Sequence, residues 1–269
     1  MLSLQPITQS ANWARRIGVI LGTFGVTLYF SLKVLGRAAL GRLDRACVDR
    51  YTRTWSAALL RLVRVKVSVE GQCPDFNDGR RYMVLCTHSS YYDIPASFVS
   101  IAGSMRMLAK SELLKVPFLG KAMKAAEFPF VNRGNAQQAR RDMEKARQMM
   151  ESGIVLWAAP EGTRSADGQL QGFKKGCFHL ALDTGAIIVP VAIRDIHRVL
   201  PARSWRLNLG QQVTVSIGQP IDASAYSREN LDALMAQTRQ AMQHLLAAET
   251  APVESATDEV KPVSLDNKK

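Results

Sequence analysis

The chain has 269 residues, 47% of them hydrophobic, and carries a formal charge of +12. That length accommodates one sizeable α/β core with an appendage and excludes a string of several ordinary domains. The charge favours anionic partners, whether phosphates, lipid headgroups, nucleic acid or an acidic protein. Four cysteines (Cys47, Cys73, Cys86, Cys177) form no C-x-x-C pair, which excludes a secreted disulfide framework and fits reduced cytosolic thiols.

In chain order, the first predicted element is an uncharged run of sixteen residues, Ile17 to Leu32. As a helix it would be about 24 Å long against a hydrocarbon layer of about 30 Å, so it suits an interfacial or re-entrant anchor better than a span. Arginines before it and basic residues after it give no inside-outside bias. A buried core helix is the bland alternative. Next, Leu40, Leu43, Cys47, Tyr51, Trp55, Leu59 and Leu62 recur at three- and four-residue steps, with Arg42, Arg45, Arg50, Arg53 and Arg64 gathered opposite. Such a helix is expected to lie on an anionic bilayer, its guanidinium groups at lipid phosphates; the competing reading packs it on the domain with a solvated basic face. Residues 1–64 are therefore read as a membrane-associated helical unit.

From Val65 onward, short β-like runs alternate with helical patterns: V-K-V-S-V, Y-M-V-L-C, S-M-R-M-L-A, I-V-L-W-A-A, A-I-I-V-P-V-A-I and Q-V-T-V-S-I. Helices are predicted over Ala136 to Glu151, near Phe178 to Thr184, and from about Asn230 to Ala248. This alternation predicts an α/β domain over residues 65–248, with a largely parallel or mixed sheet flanked by helices. The tail from residue 249 carries five acids against three lysines, so the remainder holds +14; its composition reads as disordered.

Three stretches stand where strands give way to loops, the usual place for active groups in such folds. In T-H-S-S-Y-Y-D, His88 and Asp93 lie five residues apart, roughly 140° apart on an ideal helix, so they would not meet there. A strand, a turn and a new helix would let Asp93 fold back on the imidazole. A neutral imidazole whose other nitrogen is held by a carboxylate is a general base near neutrality; the bland reading makes Asp93 an N-cap and His88 a loop residue. No H-E-x-x-H or Cys/His cluster accompanies them, so no metal and no cofactor is expected. In P-E-G-T-R-S, Gly162 permits close backbone approach, Thr163 offers a hydroxyl and Arg164 a fork of donors, an anion cradle extended by Lys174. In F-V-N-R, Arg133 gains meaning only beside Arg164 and His88.

In order and spacing, T-H-S-S-Y-Y-D, F-V-N-R, P-E-G-T-R-S and V-P-V-A-I resemble the four motif blocks of the glycerolipid acyltransferases, specifically the bacterial 1-acyl-glycerol-3-phosphate acyltransferases. The likeness covers roughly residues 71–220. It implies that His88 is the general base, that Asp93 orients it, and that Arg133 and Arg164 bind the acceptor phosphate. Glu161, Gly162 and Thr163 then complete the acceptor-binding block, with Ser90 and Pro190 matching secondary positions. It implies an acyl thioester donor, acyl-CoA or acyl carrier protein, a lysophospholipid acceptor and work at the inner (cytoplasmic) membrane on its cytoplasmic face. Thr87, Asn132 and Ala159 depart from the usual residues beside those groups, which keeps other acceptors such as a lyso-ornithine lipid open. A non-catalytic protein binding anionic lipid and a hydrolase using water are the rival classes. No aromatic platform interleaves with the basic residues, so nucleic acid is not expected.

Overall fold

The apolar runs become strands and the 3.6-residue periods become helices, in the order the sequence presents them. The computed structural model describes residues 9–132 and 134–248. A short strand β1 (Gln9–Ser10) leads into helices α1 (Trp13–Ala39) and α2 (Arg45–Leu62). Then come β2 (Lys66–Glu70), β3 (Tyr82–Cys86), α3 (Asp93–Ser100), β4 (Met105–Met107), β5 (Ala109–Lys110) and α4 (Leu119–Ala125). They are followed by β6 (Phe130–Val131), α5 (Ala136–Glu151), β7 (Val155–Ala158) and α6 (Gly176–Thr184). The chain continues through β8 (Ile187–Arg194), β9 (Asn208–Leu209), β10 (Gln212–Ile217), β11 (Ile221–Asp222) and α7 (Leu231–Ala247).

The main sheet runs β2-β10-β8-β3-β7-β4, with β11 also paired to β8. β8, β3, β7 and β4 are mutually parallel, whereas β10 lies antiparallel to β8 and carries β2 with it, so the sheet is mixed. Alternation along β3 sorts the core into two halves. Tyr82, Val84 and Cys86 pack with Trp157, Val189 and α3 on one face, while Met83 and Leu85 pack with Leu156, Ile188 and helices α5 to α7 on the other. All five β3 residues are buried, as expected of a strand covered by helices on both sides. Because β8, β3 and β7 are parallel neighbours, the loops after them emerge at one edge of the sheet, and the site lies there.

Pro190 sits inside β8, where a missing N–H would normally break a ladder. On one side β8 pairs with β11 up to Ile188 and with β10 from Val191. Pro190 falls in the gap between those two partners, where its carbonyl accepts from the Gly218 N–H at 2.8 Å. Its ring is therefore tolerated because no strand on that side asks it for a donor.

Two expectations for the N-terminal unit change. α1 extends through its flanking basic residues to 27 residues, about 40 Å, and is the one helix of the described residues long and apolar enough to cross a membrane. Conversely, α2 does not offer its apolar face to a bilayer. Val48, Leu59 and Leu60 are buried, the Trp55 indole donates to the Thr27 hydroxyl at 3.1 Å, and Tyr51 packs on Phe30. Arg45, expected at lipid phosphates, grips both Glu127 carboxylate oxygens at 2.8 Å and the Ser152 hydroxyl at 2.8 Å. The periodicity was amphipathic, and protein rather than lipid covers it. The uncovered apolar surface belongs to α1, where Leu21 and Phe24 are 65% and 70% exposed.

Candidate active site

The turn after β3 is built by a single carboxylate oxygen. Asp93 Oδ2 accepts from His88 Nδ1 at 2.8 Å, from the Ser89 N–H at 2.8 Å and from the Ser90 N–H at 2.9 Å. Asp93 is the first residue of α3, where a negative charge is also favoured by the helix dipole, and it is fully buried. Tyr92, not Asp93, is the helix cap residue, so the carboxylate reaches back into the turn. With Nδ1–H donated to Asp93, the second ring nitrogen, Nε2, is left as the acceptor. The His88 side chain keeps 19% of its surface open, and its ring stands edge-on to Trp157 with centroids 6.3 Å apart. Trp157 is itself fixed by an indole donation to the Ser97 hydroxyl at 3.0 Å.

The loop after β7 clamps that turn from the neighbouring strand end. Glu161 Oε1 accepts the His88 backbone N–H at 2.8 Å, and Oε2 accepts the Gln171 N–H at 2.8 Å. The Ser165 N–H donates to the His88 carbonyl at 2.7 Å. Both main-chain groups of His88 are thus held by the P-E-G-T-R-S segment. Burial raises the Glu161 carboxyl above its ordinary pKa, opposed by those two N–H donors. Gly162 makes the turn in the left-handed region at φ 73, where glycine is unstrained. Arg164 follows directly, its guanidinium 3.7 Å above the centre of the Tyr91 ring, and Tyr91 is a member of the His88–Asp93 turn. At that distance the cation lies against the ring face, a cation–π contact that holds the guanidinium beside the turn.

An apolar cavity of about 250 Å³ lies between α1, α2, α3 and α4, its walls including Phe30, Val48, Trp55, Ile94, Phe98 and Phe128. Ile94 adjoins Asp93 in sequence. The cavity thus runs along α3, whose first residue is the Asp93 that holds the candidate base.

Comparison with known proteins finds the following matches. Residues 64–194 match the acyltransferase family model. A relative from Haemophilus influenzae, a 1-acyl-sn-glycerol-3-phosphate acyltransferase, is 29% identical over 195 residues, 72% of this chain and 79% of the relative. The human 1-acyl-sn-glycerol-3-phosphate acyltransferase alpha is 28% identical over 182 residues, 67% of this chain and 64% of the relative. The solved structure of the 1-acyl-sn-glycerophosphate (LPA) acyltransferase PlsC from Thermotoga maritima superposes with a TM-score of 0.67 and 25% identity, covering 88% of this chain and all of that one.

The residues singled out from sequence separate by surroundings. His88, Asp93, Gly162 and Arg164 gather at one sheet edge. Glu161, expected against the acceptor, is 2% exposed with both oxygens occupied by main-chain donors, so it faces the His88 turn instead. Ser90 is likewise fully buried, its hydroxyl donating to the Leu200 carbonyl at 3.2 Å. Thr163 and Lys174 are exposed on the loop, the latter anchored by its N–H to the Pro160 carbonyl at 2.8 Å. Pro190 is buried in β8, away from solvent. Arg133 lies outside the described residues. The residues missed were Tyr91 and Trp157, which position Arg164 and the imidazole. An aromatic inside the histidine block was the available signal for Tyr91, but only folding reveals which cation it meets.

Proposed function

We propose that this acyltransferase moves a fatty acyl group from an acyl thioester, carried by coenzyme A or acyl carrier protein, to the free hydroxyl of 1-acyl-sn-glycerol-3-phosphate, giving phosphatidic acid. The observation that carries the reading is the His88–Asp93 pair in the same turn as the ring on which Arg164 stacks. His88 Nε2 takes the proton as the acceptor oxygen attacks the thioester carbonyl carbon. The tetrahedral carbon then expels the thiolate, to which His88 returns the proton, so C–O forms, C–S breaks and no acyl-enzyme intervenes. Asp93 keeps Nδ1 protonated and stabilises the transient imidazolium. Arg164, held against the Tyr91 ring, offers its donors to the acceptor phosphate and sets the distance between hydroxyl and base. The apolar cavity beside α3 has the character required by an acyl chain, and the exposed face of α1 suits a membrane that supplies both lipids. We place the enzyme at the inner (cytoplasmic) membrane with its site on the cytoplasmic side, where thioester donors and reduced thiols coexist.

The test is a panel of lysolipids and acyl thioesters given to the purified protein, with products identified by mass. Diacyl product from 1-acyl-glycerol-3-phosphate is expected. Product from a lyso-ornithine lipid alone would reassign the acceptor, and thioester loss without a diacyl product would overturn the transfer reaction in favour of hydrolysis.

A further inference from the structure

Trp205 is 82% exposed, more than any other large apolar side chain of the described residues. It does not hang from a slack segment. The loop carrying it is closed at its base by the Asn208 N–H on the Val199 carbonyl at 2.9 Å and by the Asn208 side-chain amide on the Arg198 carbonyl at 2.6 Å. Inside the loop, the Ser204 N–H donates to the Pro201 carbonyl at 3.2 Å and the Ser204 hydroxyl accepts from the Arg206 N–H at 3.0 Å. Ala202 and Leu207 are buried, while Arg203, Trp205 and Arg206 point outward. Burying an indole is among the larger apolar gains open to a side chain, and this loop forgoes it.

The loop is continuous with the apolar helix α1. β9 pairs antiparallel with β1, Gln9 opposite Leu209 and Ser10 opposite Asn208, and the Ala11 N–H donates to the Leu207 carbonyl at 2.8 Å. Trp13, the first residue of α1, follows β1 closely in the chain and is 75% exposed. Residues 9–16 and 198–209 hold five arginines and no carboxylate. Arg198 pairs with Asp195 at 3.2 Å, which leaves Arg203 and Arg206 beside Trp205 without a carboxylate partner among the described residues; exposed indoles beside such guanidinium groups have the chemistry of a bilayer headgroup region. At its near end the loop touches the turn of the candidate base, through the Ser90 hydroxyl on the Leu200 carbonyl.

We propose that residues 201–206 form a second membrane contact, with Trp205 seated at the headgroup level of an anionic bilayer and Arg203 and Arg206 on lipid phosphates. Together with α1 it would fix the tilt of the molecule, so that the His88 turn, bonded to the loop, opens at the lipid surface. The inference rests on the membrane-bound reading of the enzyme given above. It is tested on the full chain with vesicles of phosphatidylethanolamine and phosphatidylglycerol in which part of the lipid carries bromine near the headgroup.

Wild-type tryptophan fluorescence should be quenched on binding, and Trp205→Phe should lose a clear share of that quenching while its melting temperature stays unchanged. Arg203→Ser combined with Arg206→Ser should weaken vesicle binding roughly 10- to 30-fold, yet leave turnover of a short-chain, water-soluble acceptor as it was. Equal quenching and equal vesicle affinity in wild type and variants would overturn this contact while leaving α1 as the anchor. Absence of vesicle binding by wild type would instead remove the membrane-bound reading itself. A drop in oligomer size for Trp205→Phe without any change in quenching would assign the loop to a contact between copies and also overturn it.

Discussion

The rim of the sheet and the N-terminal helix pair are held by different kinds of bond. At the rim, the His88 turn is fixed by main-chain groups meeting carboxylate or main-chain partners within two short segments. The helix pair is fixed by side chains reaching across the fold: Arg45 grips Glu127, and Asp49 holds Arg106 at 2.5 Å. Arg106 is wholly buried, its Nε donating to the Ala126 carbonyl at 2.7 Å, and its Nη2 has no hydrogen-bond partner among the described residues. The contrast teaches that the rim is specified by main-chain bonds joining two short segments at neighbouring strand ends, so that its loss is felt first in chemistry. The helix pair is specified by distant charge pairs, so that its loss is felt first in stability.

Substitutions can break or sharpen that contrast. The largest effect is expected for His88→Ala, which should lower kcat by about 10² to 10⁴, roughly 3 to 5 kcal/mol of barrier, with an unchanged melting temperature. Near wild-type turnover would refute the assignment of the base. On the other side, Asp49→Ala strands a buried guanidinium and should cost about 3 to 5 kcal/mol in denaturant unfolding. A negligible cost would mean that Arg106 finds water or another partner. Arg164→Ala removes a charged donor fork and should lower kcat/KM for the phosphorylated acceptor by about 1.5 to 3 kcal/mol, mainly through KM; a pure kcat effect would place the phosphate elsewhere. Smallest, Tyr91→Ala should lose about 0.5 to 1 kcal/mol in the same quantity, and Tyr91→Phe should restore it, because the ring face rather than the hydroxyl carries the stacking. If Tyr91→Ala costs as much in an Arg164→Ala background as alone, the two side chains are not coupled.

The same contrast explains what was legible in advance. The runs Y-M-V-L-C and I-V-L-W and the helix Ala136–Glu151 were readable because burial on both faces and a 3.6-residue period are properties of neighbouring residues. The meeting of His88 with Asp93 was readable for the same reason, since one turn joins them. The role of Glu161 was not, because a carboxylate beside Gly-Thr-Arg looks like a ligand group until its two oxygens are seen to be taken by main chain. Nor was the fate of α2, since an amphipathic helix has the same pattern whether lipid or protein covers it, and only its distant partners decide. The reversal of β10 and β2 also escaped, as alternating apolar runs carry no record of strand direction. α4 was too short at seven residues to show a period.

The walls of the apolar cavity come from both halves of the molecule: Phe30, Val48 and Trp55 from the N-terminal helices, Ile94, Phe98 and Phe128 from the α/β body. Trimming α1 and α2 away to obtain a more soluble enzyme would therefore unroof that chamber and leave Arg106 without its counter-ion. Detergent-free handling and an intact chain-holding compartment are, in this architecture, mutually exclusive aims.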